Sequence, residues 1–178
     1  MIIVLTLPDF VADEAVRIAA FLSSGRADLV HIRKPCAGKN EVEALIRAIP
    51  AEWHNRLVLH DWFELAADYG LYGVHLNRRN PKAPAGWSGS VSRSCHSFEE
   101  LAACRKDPYN YLSLSPIFDS ISKQNYRAAF TMAELEQARR QGLIDHRVLA
   151  LGGVRFEDVP RVLAMGFGGA MILGDAWK

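Results

Sequence analysis

Short, continuously apolar runs alternate with amphipathic stretches along the whole chain. Ile2-Ile3-Val4-Leu5, Leu57-Val58-Leu59 and Val148-Leu149-Ala150-Leu151 carry no polar residue. Strands covered on both faces read this way, and parallel sheets are so covered. These and further β-rich runs, at residues 2–6, 28–33, 56–60, 73–76, 90–94, 109–113, 147–151 and 170–173, give eight strand candidates. Between them the period changes. Val11, Ala15, Val16, Ile18, Ala19 and Leu22 fall on one helical face, which predicts a helix over 11–23. The same rhythm predicts helices over 41–49, 62–69, 98–105, 132–141 and 156–165. Ser97 with Glu100, and Thr131 with Glu134, have capping-box spacing at two helix starts. Gly70, Gly142 and Gly166 stand where helices end in a left-handed residue.

Strand–helix alternation implies a parallel sheet, doubly wound or closed. Eight strands favour closure, so the expected fold is α/β, a TIM (β/α)8 barrel forming a single domain over residues 1–178. The chain is compact for that architecture, where roughly 250 residues is usual. Residues 77–89, with Pro81 and Pro84, read as a loop with at most a fragment of helix. Only Asp175-Ala176-Trp177-Lys178 follow the last strand, so the eighth helix is expected to be missing or truncated. Bare apolar sheet at that place predicts an association surface, covered by a second copy in a homodimer or by the 77–89 loop.

Composition narrows the functional classes. A formal net charge of +1 gives no field for nucleic acid or a membrane surface. Three cysteines, Cys36, Cys95 and Cys104, contain no CxxC pair, which argues against a disulfide framework or a cysteine-rich zinc site. The apolar N-terminus lacks the basic region of a signal peptide, and no apolar run nears the ~20 residues of a membrane span. A reducing cytoplasm is the simplest compartment to expect.

Barrel active sites lie at the C-terminal ends of the strands. Those ends here are polar: His31-Ile32-Arg33-Lys34, His60-Asp61, His75-Leu76-Asn77, Ser94-Cys95-His96, Ser113-Leu114-Ser115, Gly152-Gly153 and Gly174-Asp175. Glycine turns after strands seven and eight let backbone N–H groups approach a phosphate. Cys95 beside His96 is not read as a nucleophile pair, because neighbours on a strand point to opposite faces.

In order and spacing, Val30-His31-Ile32-Arg33, Leu59-His60-Asp61, Gly73-Val74-His75-Leu76, Ser94-Cys95-His96-Ser97, the run from Ser115 to Lys123 and Ala150-Leu151-Gly152-Gly153-Val154 resemble the thiamine-phosphate synthase and TenI superfamily. The resemblance implies a TIM barrel and a transferase of thiamine biosynthesis. Such an enzyme couples a hydroxymethylpyrimidine pyrophosphate to a thiazole phosphate and releases pyrophosphate, with Mg²⁺ as cofactor. It implies catalytic roles for Arg33, Ser94 and Lys123 on the leaving pyrophosphate. Substrate and phosphate binding fall to His31, His60, Ser120, Ser122, Gly152, Gly153 and Gly174. Asp61 and Asn80 match the Mg²⁺-binding positions. The departures are equally specific. His31 stands for a glutamine, His60 for an asparagine, and Asn80 for a second aspartate. Pro116 stands where the TenI tautomerase has its histidine, which argues against that activity. Two alternatives stay open: a non-catalytic binder of a related phosphorylated ligand, and a metal-dependent enzyme built on the histidine-rich rim.

Overall fold

The computed structural model describes residues 1–119 and 128–178. Its eight strands are β1 (Ile2–Leu5), β2 (Leu29–Ile32), β3 (Leu57–Leu59), β4 (Gly73–Leu76), β5 (Ser90–Cys95), β6 (Tyr111–Leu114), β7 (Val148–Leu151) and β8 (Gly169–Ile172), in the order of a closed barrel. The helices are α1 (Glu14–Ser23), α2 (Lys39–Ala48), α3 (Glu64–Asp68), α4 (Phe98–Cys104), α5 (Met132–Arg140) and α6 (Val159–Ala164). Every strand expected from the sequence is present, with ends shifted by a residue or two. No helix forms between β4 and β5, in keeping with the prolines there. The chain comprises two compact units, residues 3–91 and residues 1–2 with 92–178.

In the 3–91 unit β2, β3 and β4 pair in parallel, with His31 opposite Val58 and Leu59 opposite Val74. Side chains alternate along a strand, and parallel register partners share a face. Val30, Ile32, Leu57, Leu59, Val74 and Leu76 therefore share one face, while His31, Val58, His60 and His75 share the other. Behind the end of β2, Lys34 is fully buried. Its ammonium reaches both carboxylate oxygens of Glu14 at 2.7 and 2.8 Å and the carbonyls of Leu7 and Asp9 at 2.9 and 2.8 Å. A buried ammonium needs such partners, and deleting one partner of a buried pair costs about 3–5 kcal/mol.

In the second unit β5, from Ser92 on, pairs in parallel with β6, β6 with β7 and β7 with β8, with Ser94 opposite Ser113 and Leu114 opposite Ala150. Cys95 faces α4, where its thiol and that of Cys104 meet; burial, first, pushes the Cys95 thiol up. Ser94 therefore points to the opposite face, together with its register partner Ser113. Thr131 and Glu134 make the full capping box. Ser97 accepts from the Glu100 N–H, but the Glu100 carboxylate takes the N–H of His96, one residue earlier than expected.

After β8 the chain makes one 3₁₀ turn, Gly174–Trp177, in place of a helix. The expected bare face is absent there. β8 is buried throughout, Ile3, Val4 and Leu5 are at most 3% exposed, and Ala176 and Trp177 are themselves buried. The indole of Trp177 is buried in this turn, and among the described residues β1 and β8 present no bare apolar face. No helix among the described residues is long and apolar enough to cross a membrane.

Candidate functional site

The rim of the 3–91 unit is organised around three histidines. His31 on β2, His60 just after β3 and His75 on β4 are at most 3% exposed. Their shared face follows from the register above. His31 Nδ1 lies 2.9 Å from His60 Nε2, a hydrogen bond between rings. The His60 and His75 rings stack with centroids 4.4 Å apart, and the His31 ring lies 5.1 Å from each. Burial, then the neighbouring His75, holds the His31 pKa well below the ordinary histidine range. Burial does the same to His60, helped by His75, His31, Arg33 and Arg79. Both rings are therefore neutral near pH 7.

Above them lies a charged layer. The Arg79 guanidinium spans Asp61, with Nη2 3.0 Å from Oδ1 and 3.1 Å from Oδ2 and Nε 3.2 Å from Oδ1. The Asn80 amide nitrogen donates to the His60 carbonyl at 2.9 Å and to Asp61 Oδ1 at 2.8 Å. Because one partner is a carbonyl, this atom must be the amide N–H₂ and not its oxygen. Asn77 likewise donates to the carbonyls of His60 and His75, at 2.8 and 3.3 Å. Arg33 is half-buried in this layer; burial, followed by the like charge of Arg79, lowers its pKa from the usual arginine value.

Asp61 and Asn80 do not fit a Mg²⁺ ion in this arrangement. A hard cation wants free oxygens. Both oxygens of Asp61 already accept from Arg79, and Asn80 turns its N–H₂ toward Asp61. The pairing of Asp61 with Asn80 is as the resemblance implies, but what joins them is a hydrogen bond, with Arg79 in the position of the cation. From sequence alone Arg79 reads as a solvated loop charge. Its role could have been suspected only from its nearness in the chain to Asn80.

In the other unit, Gly152 and Gly153 have φ of 92° and 68°. A Cβ at Gly152 would lie 2.7 Å from Pro116 Cα, and one at Gly153 would lie 2.8 Å from the Phe118 carbonyl carbon and collide with the Asp119 carbonyl. The glycines are thus required by the close approach of the loop after β6, independently of any ligand. Gly153, Arg155 and Arg161 line a cavity of about 430 Å³ with Asp119, Glu157 and Asp158. Its charge is mixed. Gly174 opens the terminal 3₁₀ turn, and Asp175 accepts from the Phe156 N–H at 3.1 Å and from Lys178 at 3.0 Å. That carboxylate acts as a cap, which explains a negative charge beside a glycine turn.

Ser94 is half-buried on β5. Beside it the Ser113 hydroxyl is fully buried and has no hydrogen-bond partner. Ser115 Oγ lies 3.1 Å from His96 Nδ1, a pairing that spacing along the chain did not announce. Ser120, Ser122 and Lys123 lie outside the described residues.

The sequence pattern of the family described as thiamine monophosphate synthase matches residues 2–174. A thiamine-phosphate synthase of Yersinia pestis is 30% identical over 173 residues, covering 92% of this chain and 79% of that protein. A crystal structure of thiamine phosphate pyrophosphorylase from Bacteroides thetaiotaomicron superposes with a TM-score of 0.86 at 40% identity, over 99% of this chain and 84% of that one. A Pyrococcus furiosus thiamine phosphate pyrophosphorylase, at 20% identity and a TM-score of 0.74 over 97% of this chain and 84% of that one, shares the fold.

Proposed function

We propose that this chain, which belongs to the thiamine monophosphate synthase family, is a transferase of thiamine biosynthesis that joins a hydroxymethylpyrimidine pyrophosphate to a thiazole phosphate. The bond broken is the one from the pyrimidine's methylene carbon to the pyrophosphate oxygen. The bond formed joins that carbon to the thiazole nitrogen, and pyrophosphate leaves with the electron pair. Such a departure is fast only where the developing negative charge is met by preorganised cations and donors. Arg33, half-buried at the end of β2, is the guanidinium suited to that role, with Ser94 and Lys123 as further donors. His31 and His60 offer neutral ring nitrogens to the pyrimidine. Ser120 and Ser122 join Gly152, Gly153 and Gly174 in taking phosphate groups. The enzyme works as one (β/α)8 domain, in a cytoplasmic setting that suits its three free thiols.

Asp61 and Asn80 do not form a Mg²⁺ site as they stand, so no step is assigned to that ion. Arg79, held on Asp61 by hydrogen bonds to both carboxylate oxygens, would supply positive charge to the leaving pyrophosphate in its place. The observation that carries the reading is the family match over residues 2–174. The test is formation of thiamine phosphate and pyrophosphate from the two substrates by the purified chain. The Arg79–Asp61 pair favours one second reading, a protein that binds the phosphorylated heterocycles without turnover. Ligand binding with no product at any Mg²⁺ concentration would select it and sink the transferase.

A further inference from the structure

Neither the charged layer nor the glycine turns account for three buried imidazoles turned toward one another. We propose that His31, His60 and His75 form a binding site for a borderline transition-metal cation, with Zn²⁺ the best fit. This does not rest on the transferase reading: in the His31–His60–His75 cluster a bound ion and a pyrimidine compete for the same facing ring nitrogens.

Each histidine offers one ring nitrogen, and the three atoms lie within 4.8 Å of one another. Zn–N bonds of roughly 2.0–2.1 Å in a tetrahedral site put ligand nitrogens about 3.3–3.4 Å apart. The His31–His60 pair, at 2.9 Å, is already near that spacing, and side-chain rotation closes the rest. His31 and His75 lie on β2 and β4, and His60, one residue past β3, donates its N–H to the Ile32 carbonyl at 3.1 Å, so the β2–β3–β4 sheet holds all three backbones. Asn77 and Asn80 pin the carbonyls of His60 and His75 from outside the cluster. Sites built on rigid elements with such support hold geometry well.

The donor set decides the class of ion. Imidazole suits zinc, copper and nickel, whereas magnesium and calcium take oxygen. The site is thus chemically separate from any oxygen site at Asp61. Three neutral ligands leave the ion its full charge and one open position, the pattern of catalytic more than structural zinc. Arg33 and Arg79 add positive charge nearby, so the fourth ligand is an anionic oxygen, from hydroxide or a phosphate group. On binding, the hydrogen bond between His31 and His60 is given up. Its proton moves to the outer nitrogen of the same neutral ring, so no net proton need be released.

The test uses the full chain, stripped with a chelator and titrated with Zn²⁺ against a chromophoric competitor and with Co²⁺ as a spectroscopic probe. One equivalent of Zn²⁺ is expected, with a tetrahedral Co²⁺ spectrum and about three imidazole nitrogens by X-ray absorption. His31→Gln and His60→Asn keep a hydrogen-bonding amide while removing a ligand. Each should weaken Zn²⁺ by at least about a hundredfold, the upper end of what losing even a supporting partner costs. His54→Gln and His146→Gln should change nothing. Absence of Zn²⁺ binding in the unsubstituted protein overturns the proposal. So does binding that survives both ligand substitutions, since the ion would then sit elsewhere. Circular dichroism of each variant separates lost ligation from lost fold, and the absorption spectrum of the unsubstituted protein decides the matter if a variant does not fold.

Discussion

Arg79 and Asp61 form a two-pronged ion pair, with the guanidinium Nη2 3.0 and 3.1 Å from the two carboxylate oxygens. Arg79 is 44% exposed and Asp61 15% exposed, so solvent weakens the pair. Removing the arginine should act in opposite directions on two ligands. In Arg79→Ala, Mg²⁺ alone should bind Asp61 roughly two- to five-fold more tightly, the worth of an exposed pair. Pyrophosphate should bind more weakly. Calorimetric titration of each ligand separately checks both; a common direction of change would mean that Arg79 does not compete with the metal.

Asn80→Asp is expected to destabilise the protein. Sequence alone speaks to a different property, that a second carboxylate here strengthens Mg²⁺ binding. The amide donates to the His60 carbonyl and to Asp61, so the substitution replaces two donors with an acceptor and sets two carboxylates together. A loss of about 1–3 kcal/mol follows, a fall in Tm of several degrees on thermal melting in metal-free buffer. An unchanged Tm would show that these bonds contribute nothing.

Arg33→Ala and Lys123→Ala should each weaken pyrophosphate binding by at least about tenfold, since charged hydrogen bonds contribute roughly 1.5–3 kcal/mol. Equilibrium titration with inorganic pyrophosphate measures this. Unchanged affinity in both would remove them from the leaving-group site.

Stability should depend on His31 and His60 in mildly acid solution. Burial lowers both folded pKa values below the ordinary value of 6.5. Below that value the unfolded chain binds protons that the folded chain refuses. Unfolding then takes up protons, and stability falls as pH falls. The slope is roughly 1.4 kcal/mol per pH unit for each histidine, with a plateau above about pH 6.5. Urea melts of metal-free protein across this range check it. The double variant His31→Gln/His60→Asn should flatten the curve.

Much of the architecture was legible because it rests on local pattern. Val148-Leu149-Ala150-Leu151 can hardly be anything but a doubly covered strand, and Thr131 with Glu134 announces a helix start within four residues. The missing helix between β4 and β5 was equally plain from Pro81 and Pro84. Lys34 was harder. Sequence placed it beside Arg33 as a rim cation, but its carboxylate partner is Glu14, twenty positions away. Nothing in the local pattern says that the two are buried together.

The sequence by itself determined the eight strands, their order, the glycine turns and the family, because each depends on residues close in the chain or on matches along it. Tertiary structure decided which polar groups meet. Register set His31, His60 and His75 on one face, an outcome that follows only once β2, β3 and β4 are paired. Packing turned the Asn80 amide nitrogen, not its oxygen, toward Asp61, and gave that carboxylate to Arg79. Hydrogen bonds and metal ligation depend on contacts of an ångström's tolerance between distant residues, and one-dimensional spacing carries no such distance.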